Sequence, residues 1–276
     1  MNSTLIELRN VYKIFGRDSR SLSAAQEAAR KGSSRQDILE STQCTVAVRD
    51  VSLEIREGEI FVIMGLSGSG KSTLVRHFNR LIEPTAGQLL FRGKDLLKLS
   101  KSEMRNVRRY NIGMVFQSFA LLPHKTVMEN IIFGRMLRGD SKSASIAEAE
   151  KWLQGRIGLH GYGDKFPDEL SGGMRQRVGL ARALVSNPDI LLMDEAFSAL
   201  DPLIRTDLQD LLLEMQTELK KTVIFITHDI DEAMKLGSRI AIMKDGEVVQ
   251  VGTPQAIRDN PANDYVRRFF KKGTAH

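Results

Sequence analysis

Four short runs in the chain are apolar almost throughout rather than at alternate positions: residues 60–64, 112–116, 190–193 and 223–227. Strands covered on both faces of a parallel sheet carry this pattern. Each run ends in a residue with chemistry to offer: Gly65, Gln117, the pair Asp194-Glu195, and His228. Open α/β sheets bind ligands beyond the carboxyl ends of their strands. One polar strand end is ordinary, but four of these types point to one shared site. Helical periodicity over residues 71–80, 175–185 and 205–219 separates the runs and predicts a doubly wound α/β fold. Residues 239–243 and 248–251 flank Asp245-Gly246, a hairpin turn signal. The stretch 121–168 is helical, more polar and broken by glycines, and reads as a helical insertion.

Composition narrows the class. With 276 residues, 42% hydrophobic and 27% charged, the chain can bury a core without staples. Its one cysteine, Cys44, excludes an internal disulfide and a cysteine-based zinc site and suits a reducing compartment. No apolar run approaches the ~20 residues of a membrane-spanning helix. Residues 1–7 lack a basic region followed by an apolar one, so no secretory signal is visible. The expectation is a chain that neither crosses a membrane nor leaves the cytoplasm on its own. The net charge of +6 is mild for this length. The two basic clusters, 105–109 and 267–272, read as solvated helix faces, and no nucleic-acid partner is expected.

Gly65-Leu66-Ser67-Gly68-Ser69-Gly70-Lys71-Ser72 follows a strand run and opens a helix, as a phosphate-binding loop does. Its glycines let backbone N–H groups close around phosphate oxygens, and the helix N-terminus adds positive potential. Lys71 would reach the β- and γ-phosphates and Ser72 would coordinate Mg²⁺, with Thr73 beside them. Asp194 is placed to hold Mg²⁺. Glu195 is then available to orient or deprotonate an attacking water. This loop alone leaves kinases, GTPases, helicases and transporters open.

Leu170-Ser171-Gly172-Gly173-Met174-Arg175-Gln176 resembles the signature motif of ATP-binding cassette (ABC) ATPases, with Met174 where glutamine is frequent. The resemblance spans nearly the whole chain. Gln117 matches the Q-loop glutamine, Ser198-Ala199-Leu200-Asp201 the D-loop, and His228 the switch histidine. Phe15 stands where an aromatic ring stacks on adenine, with Tyr12 a second candidate. The resemblance implies ATP and Mg²⁺, with Lys71, Gln117, Glu195 and His228 catalytic and Ser72, Gln117 and Asp194 on the metal. The implied ATP contacts are Phe15, Gly65, Ser67, Gly68, Ser69, Gly70, Lys71, Ser72, Thr73, Gln117, Ser171, Gly172, Gly173, Gln176 and Asp201. In this family two subunits pack head to tail, each ATP lying between one phosphate loop and the partner's signature. The implied domain is one ABC ATPase with a RecA-like parallel-sheet core, an antiparallel β subdomain and a helical subdomain. Core and β subdomain take about 4–118 and 182–257, with an inserted helical segment at 17–45. The signature subdomain takes about 119–181 and a helical tail 258–276.

Ser171 follows Lys71 by 100 residues, which leaves no room for the long coiled coils of DNA-repair members. A single cassette also argues against translation-type members. What remains is a detached transport motor, cytoplasmic and peripheral on the inner membrane face. Residues 116–130 resemble the region that grips permease coupling helices, and Phe119, Leu121 and Leu122 are expected to be exposed on a lone subunit. The insert at 17–45, with predicted helices at 22–31 and 35–40, resembles the quaternary-amine-uptake group. That group handles glycine betaine, proline betaine, choline, trimethylamine N-oxide and, in some relatives, histidine. Expected partners are a second ATPase copy, integral membrane permease subunits and, indirectly, an extracytoplasmic binding protein. Exporter or lipid-extraction motors and non-transport regulatory cassettes are the alternatives. Many osmoregulated relatives continue into paired regulatory domains; either this chain lacks them or the sequence is a truncated piece, and if it is natural, nutrient uptake is favoured over osmotic protection.

Overall fold

The computed structural model describes residues 3–271. Lys272 of the basic cluster and the end of the expected tail lie outside the described residues. The strands are β1 (Thr4–Phe15), β2 (Thr45–Arg56), β3 (Ile60–Met64), β4 (Ala86–Phe91), β5 (Lys94–Asp95), β6 (Ile112–Phe116), β7 (Ile190–Asp194), β8 (Thr222–Thr227), β9 (Arg239–Lys244) and β10 (Glu247–Gly252). The α-helices are α1 (Ser19–Arg30), α2 (Arg35–Thr42), α3 (Lys71–Phe78), α4 (Lys101–Tyr110), α5 (Val127–Arg138), α6 (Lys142–Lys151), α7 (Gly172–Leu184), α8 (Pro202–Leu219), α9 (Ile230–Leu236), α10 (Pro254–Asp259) and α11 (Asp264–Lys271). All four apolar runs are strands. No described helix is long and apolar enough to cross a membrane.

The chain divides into two compact units, one running to Met104 and resuming at Ile226, the other Arg105–Phe225. In the first unit, an antiparallel sheet has the order β2-β1-β4-β5. Separately, β3 runs parallel to β9, which pairs antiparallel with β10. The β9–β10 turn carries positive φ at both Asp245 (50°) and Gly246 (83°), the geometry of a type I′ hairpin. The insert is two capped helices. Asp18 caps α1, and Ser34 and Asp37 form a capping box on α2. Ala25, Ala29 and Ile38 face inward and pack with Tyr12, Ile14, Cys44 and Val46 in one buried cluster. The insert is therefore mounted on β1 and β2 by its own core.

In the second unit, β6 runs parallel to β7. The helical segment is built from α5, with a Thr126/Glu129 capping box, α6, and a π-turn at Trp152–Arg156. Two helices start three residues earlier than periodicity alone predicts. Ser171 accepts from Met174 N–H and draws the α7 start back to Gly172. Asp201 accepts from Ile204 N–H, with Pro202 at the first helical position of α8. In the first unit, α3 ends at Phe78 rather than Arg80, because Arg80 turns to φ 51°.

Candidate functional site

β3 is buried at all five residues and delivers the chain into a tight loop. A side chain at Gly70 would come within 2.3 Å of the Ala47 carbonyl oxygen, so only glycine lets the loop lie this close to β2. Lys71 is 4% exposed, and its Nζ donates to Gly65 O (2.8 Å) and Leu66 O (3.0 Å). The N-cap of α3 is Gly70, with no side-chain cap on the first-turn N–H groups. A helix end left without a side-chain cap, with a lysine at its first position, is of a kind that suits an anion. The Ser69 hydroxyl is buried without a partner among the described residues, while Ser67 and Gly68 are exposed. From outside the loop, Gly246 N–H donates to Ser69 O at 3.0 Å.

His228 is exposed directly after β8, on a firmly held corner. Next to it, Thr227 Oγ1 donates to Glu232 Oε2 (2.5 Å), both residues being buried, and Asp229 caps α9. A cavity of about 550 Å³ opens here, lined by Leu66, His228, Tyr265 and Phe269 among others. The Thr227–Glu232 pair carries no signal in the sequence, where Glu232 looks like an ordinary solvated helix residue. At the end of β1, Phe15 is 44% exposed with Lys13 Nζ 4.8 Å from its ring centroid. Tyr12 is 7% exposed within the insert's core, so its ring faces are spent on packing. Of the two aromatic candidates, only Phe15 offers a surface to a ligand.

In the second unit, Asp194 ends β7 at 7% exposure and Glu195 follows, half-buried, with φ 48°. A left-handed glutamate costs backbone strain, and such strain concentrates at functional positions. Gln117 Nε2 donates to Ser198 Oγ (3.0 Å), which donates to Glu195 O (2.9 Å). This chain joins the Q-loop, D-loop and Glu195 positions. Gln117 itself is exposed. Ser171 is exposed and caps α7 as an acceptor, which leaves its O–H to donate elsewhere. Asp201 is exposed and caps α8; Gly172 is half-buried and Gly173 buried.

Two expectations need correction. Gln176 is fully buried, with both amide atoms unpartnered among the described residues, so it offers nothing to a ligand. It lies on the inward face of α7 with Gly173 and Leu180. Phe119, Leu121 and Leu122 are half-buried rather than exposed. The Arg175 guanidinium lies 5.3 Å from the Phe119 ring centroid, and the Asn130 amide bridges Leu122 O and N–H.

The family profile described as ABC transporter matches residues 48–198. The chain is 59% identical, over 96% of its length, to the glycine betaine/proline betaine transport system ATP-binding protein ProV of Salmonella typhimurium, covering 66% of that protein. It is 49% identical, over 99% of its length, to the trimethylamine N-oxide transport system ATP-binding protein TmoW of Pelagibacter ubique, covering 78% of it. The chain belongs to the ABC transporter family. Among solved structures, a dimeric ATP-binding cassette in a post-hydrolysis state with ADP and phosphate superposes with a TM-score of 0.75 at 33% identity, covering 91% of this chain and 99% of that one. The fold is therefore the α/β fold of an ABC ATPase cassette. The cassette spans just under two thirds of ProV's length.

Proposed function

We propose that this chain is the ATP-hydrolysing, energy-coupling subunit of an importer for a quaternary amine or related compound. The observation that carries the ATPase assignment is the uncapped N-terminus of α3 with buried Lys71 at its first position. Lys71 takes the β- and γ-phosphates, Phe15 stacks on adenine, and the loop N–H groups surround the phosphate oxygens. Glu195 serves as general base on the attacking water, with His228 at the γ-phosphate. Ser72, Gln117 and Asp194 each carry an oxygen donor of the kind that suits Mg²⁺. No group of three or more acidic, histidine or cysteine side chains able to hold a metal occurs among the described residues. A bound Mg²⁺ would supply positive charge to offset what develops on the phosphates.

The capped α7 N-terminus, with Ser171 O–H and Gly172 at the surface, supports a head-to-tail homodimer in which each ATP also meets the partner's signature. Dimeric packing of the structural relative supports the same assembly. Nucleotide that binds both subunits only when they are closed drives closure, and hydrolysis reverses it. In the second unit, a cavity of about 320 Å³ lined by Arg108, Phe133, Leu137, Arg138 and Arg182 offers a seat for a permease helix on the inner membrane face. The solute class rests on the betaine and trimethylamine N-oxide relatives.

The test is reconstitution with candidate permease and binding-protein subunits. ATP-dependent inward accumulation of glycine betaine that requires the binding protein is expected. Accumulation of histidine or another amino acid instead would reassign the solute. Outward movement without a binding protein would favour an export or lipid-extraction motor.

A further inference from the structure

Helix α2 begins with Arg35, a cation at the end where the helix dipole favours an anion. Placing it there costs roughly 0.3–1 kcal/mol in an ordinary surface helix. Local rules are broken where something else is gained, and the contacts of Arg35 show what. Its Nη1 donates to the Gly68 carbonyl in the phosphate-binding loop (3.1 Å), and its Nη2 donates to the Ala47 carbonyl on β2 (3.2 Å). The same guanidinium pairs with Asp245 in the β9–β10 turn at 3.7 Å. The neighbouring Gly246 permits the approach, since a Cβ there would lie 3.3 Å from Nη2.

These contacts converge behind the loop. Gly68 O is held by Arg35 and Ser69 O by Gly246 N–H. In a trans peptide the carbonyl and the following N–H point opposite ways. Pulling these two carbonyls outward therefore turns the Ser69 and Gly70 N–H groups toward the hollow of the loop. Ser69 N–H there closes a turn on Leu66 O at 3.2 Å. The brace is itself anchored: Arg49 on β2 donates to Ser33 O just before α2 and pairs with Glu247 at 3.3 Å. Ile38 of α2 is fully buried in the insert's core. Burial pulls the Arg35 pKa below its usual value, while Asp245 acts in the opposite sense.

We propose that Arg35 is a positioning residue for the phosphate-binding loop, and that the 17–45 insert is the outrigger that holds it there. The fork fixes the Gly68 peptide plane, sets the loop in its nucleotide-accepting shape, and places a fixed positive charge behind the triphosphate. The inference rests on the ATP-binding assignment and adds an affinity control that the phosphate-loop motif does not contain. Any change that lifts α2 from β1 and β2 would lower nucleotide affinity without touching a nucleotide contact.

The experiment compares the whole wild-type chain with Arg35→Ala and Arg35→Lys by steady-state ATPase kinetics, with thermal midpoints recorded alongside. Two lost charge-assisted bonds predict a rise in KM for ATP of about 5- to 30-fold in Arg35→Ala, with kcat within about 2-fold of wild type. Arg35→Lys, able to hold one carbonyl but not two, should fall between. A KM within 2-fold of wild type in Arg35→Ala overturns the proposal. So does an equal loss in both variants that tracks a fallen thermal midpoint, which marks a purely structural role. Should Arg35→Ala not fold, Asp245→Asn reads the same brace from the exposed side. A KM rise of about 2- to 4-fold is expected there, and an unchanged KM overturns the proposal. A wild-type chain with no ATPase at all would sink the assignment of function, an outcome distinct from these.

Discussion

Two helix N-termini in this chain carry glycines and first-turn N–H groups of a kind that suits an anion, and they are built differently. α3 opens on Gly70 with no side-chain cap, a lysine at 4% exposure, and a loop whose carbonyls are tied from behind. α7 opens on Ser171, whose hydroxyl already accepts from Met174 N–H, and it lies exposed. On the proposed reading the first brings N–H groups and a buried cation together within its own unit. The second has satisfied part of its own demand and keeps only one O–H and a glycine surface for a ligand. Nucleotide affinity should therefore be set at α3, while α7 and the residues of its unit govern what happens to bound nucleotide.

The largest separation should come from Glu195→Gln. A positioned general base contributes typically 10²–10⁴ in rate, so turnover should fall by about that factor. ATP affinity should stay within about 2-fold in the same variant, because the carboxylate touches water and not the bound phosphates. The nucleotide-loaded variant should also elute as a stable dimer in size-exclusion chromatography with light scattering. Wild-type turnover in this variant would reassign the base.

Lys71→Ala and Ser171→Ala form the next pair. Removing Lys71 deletes its charge and strips partners from the Gly65 and Leu66 carbonyls. ATP affinity should drop by about 10- to 100-fold, read by isothermal titration in the presence of EDTA. Ser171→Ala should leave that affinity within about 2-fold, yet lower turnover and cost the α7 cap about 1 kcal/mol. Equal affinity losses in the two variants would break the contrast between the helix ends.

The four strands and the phosphate loop were legible because their signals are local: an all-apolar run, then glycines and a lysine at fixed offsets. The hairpin was legible for the same reason, since Asp245-Gly246 carries its turn chemistry in two residues. What escaped lies in contacts between distant segments. Arg35 and Gly68 are 33 positions apart, and nothing in either neighbourhood announces the other. Gln176 was misjudged because motif membership outweighed helical phase; spacing of three and four residues from Gly173 and Leu180 already put it on the inward face. Phe119 was expected at the surface because its cover, Arg175, comes from a distant helix. The half-site roles proposed for Ser171 and Asp201 need a second copy, which no single chain displays.

The two signature glycines sharpen the same contrast at smaller scale. A Cβ at Gly173 would lie 2.5 Å from Ile204 Cγ2, whereas one at Gly172 meets nothing closer than 3.8 Å. Gly173→Ala should lower unfolding free energy by about 1–3 kcal/mol through overpacking of α7 on α8. Gly172→Ala should leave stability within about 0.5 kcal/mol in urea titrations. If Gly172→Ala nevertheless loses turnover, the added methyl is colliding with something other than this chain's own fold. Full activity in Gly172→Ala would remove the reason to see α7 as a ligand surface.

The smallest effect is a pH dependence carried by α3. His77 is fully buried, and its pKa is lowered from 6.5 to about 4, mainly by burial. Its Nδ1 lies 2.7 Å from the Ile82 carbonyl, a bond that a neutral ring with hydrogen on Nδ1 donates. The unfolded chain binds a proton near pH 6.5, while the folded chain resists until about pH 4. Stability from this group is thus intact above pH 6.5 and falls as pH drops toward 4. Between pH 7 and pH 5 the loss amounts to about 2 kcal/mol. His77→Asn can keep a donor on Ile82 without titrating, so urea midpoints should show a shallower decline over that interval than wild type. Amide protection factors, corrected for the intrinsic slowing of exchange in acid, should fall more on α3 than on α7, which has no histidine among its own residues. If the variant and wild type decline alike, the imidazole is already charged in the folded state at pH 5, and the dry packing that seats α3 beneath the phosphate loop is wrong.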